Sequence, residues 1–128
     1  MSNACDCSGG LVVSMYKNRN RTIRATITGP GDLTDAKIWF CVKASRTDAD
    51  VDALITKKSA NNGGSDSEAI VVDGPNGIID IFIIPSDTTT MSAPVDYWFD
   101  IVIETAAGQR LEAVSPSTFR LLQPVTLT

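Results

Sequence analysis

The side chains that could carry out chemistry are few, because the 128-residue chain contains no histidine. Without an imidazole there is no Ser-His-Asp or Cys-His arrangement and no ordinary general base at neutral pH. Two carboxylates, Asp80 and Asp100, interrupt apolar strands and could in principle form an acid–base pair. A lone carboxylate at an alternate position of a strand is ordinarily solvated, so we expect each to be the outward member of its own strand.

Metal binding has one candidate motif, the run DADVD, in which Asp48, Asp50 and Asp52 have the 1-3-5 spacing that opens an EF-hand calcium loop. The glycine required at the sixth position of that loop is Ala53, and the bidentate acid required at the twelfth is Ser59. These two residues exclude an EF-hand. A loose surface cation remains an alternative, but the prediction is that no metal is bound.

The three cysteines, Cys5, Cys7 and Cys41, do not make a closed disulfide framework, because their number is odd. A zinc site needs four ligands, and the chain offers neither a histidine nor a CxxC motif. We expect Cys5 and Cys7 to be free thiols on a flexible leader, residues 1–10, and Cys41 to be a small hydrophobic residue in a strand. This cysteine usage fits assembly in a reducing cytoplasm, and the sequence predicts neither a cofactor nor enzymatic activity.

The charge balance argues against two classes of partner. The formal net charge of -4 would repel nucleic acid phosphates and anionic lipid head groups. The best basic cluster, KNRNR at residues 17–21, is typical of a solvated loop, and no run of 18 apolar residues is present to span a bilayer. We therefore predict a protein with no nucleic acid and no membrane partner, whose hydrophobic content of 43% is sufficient for one packed domain.

The elements that position these side chains are strands, because apolar and polar residues alternate along most of the chain. One helical turn is expected at residues 86–91, capped by Ser86 or Asp87. Seven or eight short strands separated by turn residues predict an all-β fold, an immunoglobulin-like antiparallel two-sheet sandwich over residues 11–128. The strand segments are predicted at 11–16, 21–29, 36–43, 67–72, 78–84, 95–105, 110–114 and 117–125, and residues 53–58 are a further short strand candidate.

Two of these strands, 36–43 and 95–105, are apolar on both faces and should lie side by side in one sheet. The residues expected to point inward are Ile38, Phe40, Val42, Tyr97, Phe99, Ile101 and Ile103. The outward set is the candidate interaction face: Trp39, Cys41, Trp98, Asp100 and Val102. We expect its two tryptophans to be cross-strand or diagonal neighbours.

Such an apolar patch needs a cover, because contiguous exposed patches on soluble proteins usually mark interfaces. Two covers stay open: segment 44–67 folded back as a lid, or a partner. A reversed register would place Trp39 in the core. It would expose a larger set of apolar side chains, Phe40, Val42, Phe99 and Ile101, and is therefore less favourable.

Over residues 15–126 the chain resembles the immunoglobulin-like N-terminal domain of the phage baseplate upper protein family. The most similar pieces are GDLT at residues 31–34, IIPSDT at residues 83–88 and YWFDIVI at residues 97–103. All three are structural signatures, and none is catalytic. The resemblance implies a structural module of a phage tail or baseplate, assembled in the host cytoplasm into the virion. It also implies that the partners are other phage structural proteins and further copies of the chain itself.

Two functions therefore follow as expectations. The first is a non-enzymatic bacteriophage structural or adaptor protein that acts through protein–protein contacts. The alternative is an immunoglobulin-like ligand-binding module, for instance one that binds carbohydrate with Trp39, Trp98 and Asp100.

Overall fold

The computed structural model describes residues 11–126, which form eight β-strands and one short α-helix. The leader, with Cys5 and Cys7, lies outside the described residues. Within them no helix has the length and apolar character needed to cross a bilayer. The elements are β1 (Val12–Tyr16), β2 (Arg21–Thr26), β3 (Lys37–Lys43), β4 (Ile55–Lys58), β5 (Ala69–Asp73), β6 (Ile78–Ile83), α1 (Pro85–Thr88), β7 (Val95–Glu104) and β8 (Arg110–Leu122).

The strands pair into two sheets, one of five strands in the order β1-β8-β7-β3-β4 and one of three strands in the order β2-β6-β5. Neighbouring strands are antiparallel, except that β1 runs parallel to β8. β3 lies beside β7, as expected for a sandwich of this kind. The fold is an immunoglobulin-like two-sheet sandwich of eight strands, and the predicted fold class is confirmed.

The core is built from the alternate residues that the sequence pattern assigned to it. The rings of Phe40 and Phe99 pack with their centroids 5.8 Å apart and their planes tilted by 42°, a favourable arrangement for aromatic pairs. Isoleucines of β6 supply the opposing layer. The predicted inward residues are all buried: Ile38, Phe40, Val42, Tyr97, Phe99, Ile101 and Ile103.

The last strand is longer than predicted. Two separate strands are predicted from the residue pattern, at 110–114 and 117–125, whereas the structure has the single strand Arg110–Leu122. Its pairing with β7 shifts register twice. Pro116 lies in this irregular stretch, and a bulge is where a sheet tolerates a residue without an N–H. The strand therefore continues through the proline.

Polar contacts fix the crossover from β6 to β7. The predicted helical turn is α1, but its cap is Ile84 rather than Ser86 or Asp87. The carboxylate of Asp87 accepts a hydrogen bond from the N–H of Ile84 at 2.8 Å. It also lies 2.7 Å from the ammonium group of Lys57, whose side chain is only 8% exposed. An ion pair that is largely shielded from solvent thus connects α1 to β4.

The start of β7 is fixed by Tyr97. Its hydroxyl donates a hydrogen bond to the carbonyl of Ser92 at 2.7 Å, while its ring is buried in the core. Because Trp98 is the next residue, this anchor also determines where that indole leaves the sheet.

Candidate interaction face

The outward residues of β3 and β7 form three rows across the five-stranded sheet. The rows pair Trp39 with Val102, Cys41 with Asp100, and Lys43 with Trp98, and we call these six residues the front face. All five residues of the predicted interaction face therefore lie on one side of one sheet. The prediction that the two tryptophans are cross-strand or diagonal neighbours is wrong, because the Cys41–Asp100 row separates them.

Each indole of the front face is contacted by an arginine of the same chain. The guanidinium carbon of Arg46 lies 5.2 Å from the ring centroid of Trp98. That of Arg110, at the start of β8, lies 4.9 Å from the ring centroid of Trp39. Such cation–π contacts stabilise an exposed site by only about 0.5–1 kcal/mol. Trp98 still exposes 36% of its surface, so the arginine leaves it available to a partner.

Part of segment 44–67 covers one end of the front face. The ammonium group of Lys43 donates to the carbonyl of Asp48 at 2.9 Å and pairs with the carboxylate of Asp50 at 2.7 Å. The hydrogen bond to Asp50 is the main cause that raises the pKa of Lys43. These contacts hold the loop that carries Arg46 over Trp98, whereas β4 extends the sheet beside β3. The lid is therefore partial.

A carboxyl pair lies on the border between the front face and β8. Asp100 forms a hydrogen bond with Glu112, a residue that the sequence analysis did not single out. Glu112 is exposed as a residue, yet its pKa is raised to about 8. The largest cause is desolvation of its carboxyl group, and the hydrogen bond to Asp100 and the charge of Asp100 add to it. The two groups therefore hold one proton between them at neutral pH. No spacing in the sequence signals this pair, because its register depends on the bulges of β8.

The other predicted carboxylate, Asp80, is not near Asp100. It is an outward residue of β6 in the three-stranded sheet, as expected, but it is buried rather than solvated. The cause is Arg24 on β2, whose guanidinium binds both oxygens of Asp80 at 2.8 and 2.9 Å. This bidentate pair is structural and leaves no free carboxylate for catalysis.

The thiol of Cys41 is not activated for nucleophilic chemistry. Burial is the main cause that raises the pKa of Cys41, and a hydrogen bond to Thr56 offsets this only in part. A raised thiol pKa leaves little thiolate, which is the reactive form. Within residues 11–126, no three Cys, Asp or Glu side chains come together as a metal site.

Two depressions lie on the front face. The one beside Trp98, also lined by Arg46, Asp100 and Pro116, has a volume of about 40 Å³ and holds only water-sized molecules. The one beside Trp39 has a volume of about 270 Å³ and is lined by Asp50, Asp100, Lys43, Arg110 and their neighbours Cys41 and Val102. The surface is shallow, which suits a protein partner better than a small ligand.

No model of a known protein family matches the chain, and no curated protein matches it. Among solved structures, it is similar to NK cell receptor NKp44, at 19% identity and a TM-score of 0.49 over 90% of this chain and 98% of that chain. It is also similar to a structure from work on the cell-adhesive interactions of VGSC beta subunits, at 10% identity and a TM-score of 0.49 over 98% of this chain and 100% of that chain. The similarity to the first Ig-like domain of human CD48 antigen has 11% identity and a TM-score of 0.36 over 99% of this chain and 95% of that chain.

The identities are below 25% and the TM-scores below 0.5, so these likenesses carry no argument about function. The class of the protein is instead defined by its own strand order: it is an immunoglobulin-like domain with its tryptophans on the outer face of the larger sheet.

Proposed function

We propose that this domain is a non-enzymatic adaptor that binds another protein through the front face. The observation that carries the proposal is the position of Trp39 and Trp98, the only tryptophans of the chain, on the outer face of one sheet. Tryptophan and arginine are enriched among residues that dominate binding energy at interfaces, and here each indole has an arginine beside it. A partner that excluded water would strengthen both cation–π contacts.

The charges of the front face indicate what that partner presents. Lys43 and Arg110 already have carboxylate partners on this chain, Asp50 and Glu104, each at 2.7 Å. The partner therefore has to supply apolar contacts for the indoles and hydrogen-bond donors for Asp100. An arginine- or lysine-bearing protein surface with apolar neighbours meets both needs.

The resemblance to the baseplate upper protein domain supports a more specific version of the proposal. In it the chain is a component of a bacteriophage virion, assembled in the host cytoplasm, and the partner is another structural protein of the tail or baseplate.

The proposal is tested by measuring binding to tail and baseplate proteins encoded beside this chain. We expect Trp98→Ala to weaken binding by roughly thirtyfold, the loss typical of a hot-spot residue. Val72→Ala is the matched control, because Val72 is an exposed apolar residue of the three-stranded sheet. Unchanged binding by a variant with both Trp39→Ala and Trp98→Ala would contradict the proposal, as would a wild type that binds none of these proteins.

A carbohydrate-binding function is the second candidate, and the depression of about 270 Å³ beside Trp39 is the observation that favours it. Its carboxylates Asp50 and Asp100 could accept hydrogen bonds from sugar hydroxyls. However, Arg110 lies over the ring of Trp39, where a sugar would have to stack. NMR titration with mono- and disaccharides decides between the two functions, since only a lectin would show saturable shifts at Trp39.

A further inference from the structure

Among residues 11–126, only half of the edge of the five-stranded sheet beyond β8 is paired. β1 pairs with β8 from Thr118 to Leu122. From Arg110 to Ser115, no strand among the described residues pairs with that side of β8. An unpaired edge presents a row of N–H and C=O groups that can template pairing with another strand.

The hairpin between β7 and β8 fixes which of these backbone groups are free. The N–H of Thr105 donates to the carbonyl of Gln109 at 2.9 Å, so Gln109 directs its carbonyl toward β7. Successive residues of an antiparallel strand alternate between facing their partner and facing away. Arg110 and Glu112 therefore direct their N–H and C=O groups to the open edge, whereas Leu111 directs its own toward β7.

We infer that this edge pairs antiparallel with the same edge of a second copy, about a two-fold axis at Leu111. In this register Arg110 of each copy lies opposite Glu112 of the other. Each of these two pairs then exchanges backbone hydrogen bonds and brings Arg110 beside the Glu112–Asp100 carboxyl pair, which shares one proton and carries one negative charge. A self-complementary contact of this kind is what a two-fold dimer requires.

Charge also selects the register. A shift by two residues in one direction places Arg110 opposite Arg110 of the second copy. A shift in the other direction places the two Glu112–Asp100 pairs, each with one negative charge, opposite each other. Like charges directly opposite each other are destabilising. A shift by one residue places Arg110 opposite Leu111 of the second copy. The backbone groups of Leu111 already bond to β7, so this pair cannot exchange hydrogen bonds. The register centred on Leu111 is the one that satisfies both the charges and the hydrogen bonds.

The side chains have room for this arrangement. Arg110 uses Nε and Nη2 for Glu104, at 3.1 and 2.7 Å, which leaves the donors of Nη1 for the carboxyl pair of the second copy. Beneath the edge, a cleft of about 400 Å³ is lined by Leu111, Ala113, Ile27 and Pro30, among others. The two Leu111 side chains meet over this cleft, whose lining is partly apolar and partly polar.

The contact would join two five-stranded sheets into one continuous sheet. A two-fold axis between antiparallel strands is perpendicular to the sheet, so both front faces would lie on the same side. This inference does not rest on the proposed function, since it concerns the backbone edge of β8, although the side chains of Arg110 and Glu112 also contact Trp39 and Asp100 of the front face.

Sedimentation equilibrium across a concentration series, from micromolar to millimolar, tests the inference. We expect the mass to rise from that of one chain to that of two and no further. Arg110→Glu and Glu112→Arg should each weaken dimerisation by roughly thirtyfold, because two attractive pairs become repulsive. The double variant R110E/E112R should restore it to within about threefold. Arg120→Glu is the matched control, since Arg120 lies in the part of β8 that β1 already covers.

Hydrogen exchange on the wild type keeps the test independent of how the variants fold. The amides of Arg110 and Glu112 should exchange more slowly as concentration rises, while that of Leu111 should not change. A wild type that stays monomeric, a dimer that R110E and E112R leave intact, or a double variant that fails to recover would each overturn the inference.

Discussion

Replacing Lys57 by methionine removes the positive charge from the ion pair that connects β4 to α1. The Lys57 and Asp87 side chains are only 8% and 19% exposed, and their charged atoms lie 2.7 Å apart. Methionine keeps most of the volume of the lysine stem, so the change is mainly one of charge. Asp87 then keeps its hydrogen bond from Ile84 but loses its counter-ion.

The distance sets the size of the effect. At 2.7 Å and an effective dielectric constant of ~20, the attraction is roughly 6 kcal/mol before desolvation is subtracted. Breaking a buried pair by removing one partner destabilises a protein by about 3–5 kcal/mol. The lower end applies here, because Asp87 is partly hydrated and keeps one donor. We therefore expect Lys57→Met to lower the free energy of unfolding by about 3 kcal/mol, or Tm by about 10 °C.

Urea denaturation followed by tryptophan fluorescence measures this loss. Lys58→Met is the matched control, because the neighbouring side chain points to the other face of β4 and forms no ion pair within the described residues; it should change stability by less than about 0.5 kcal/mol. The double variant K57M/D87N should recover part of the loss, since the amide still accepts from Ile84. A loss below about 1 kcal/mol for K57M, or a coupling energy near zero, would refute the reasoning.

Three further predictions follow from other contacts. Tyr97→Phe should lower the free energy of unfolding by about 1–2 kcal/mol, because removal of the hydroxyl leaves the carbonyl of Ser92 without its donor. Tyr16→Phe, at an exposed tyrosine, should not change it, and chemical denaturation checks both variants. Unfolding free energy should fall as pH rises from about 4.5 to about 8, since folded Glu112 keeps its proton to higher pH than unfolded Glu112, and Glu112→Gln should remove that component of the pH profile. Gly77→Ala should lower the free energy of unfolding by more than about 1 kcal/mol, because the positive φ is strained for alanine and the added Cβ would collide with the backbone carbonyl of Ile27. Gly108→Ala has the strain without the collision, so it should lower Tm by less in thermal melts.

The sheet faces could be predicted from sequence because a strand has a strict two-residue period. Ile38 and Phe40 are apolar at every second position, so one register buries them and leaves Trp39 outside, and the structure agrees. Relative positions across strands could not be predicted in the same way. The distance between Trp39 and Trp98 depends on the register of β3 with β7, which the spacing within either strand does not contain.

The carboxyl chemistry was missed for a related reason. Glu112 meets Asp100 only because β8 continues through Pro116 with shifted pairing, and proline in a sequence normally marks the end of a strand. Asp80 was expected to be solvated because its strand alternates. Its burial comes from Arg24 on a neighbouring strand, and such cross-strand pairs depend on register as well.

The parallel pairing of β1 with β8 has a mechanical consequence. Tension applied between the chain before Leu11 and the chain after Leu122 pulls these two neighbouring strands in opposite directions along their length. The bonds between them, from Thr118 N–H to Leu11 C=O at one end to Lys17 N–H to Leu122 C=O at the other, are then loaded together in shear. A domain strung in this way resists stretching far better than one whose terminal strands peel apart bond by bond.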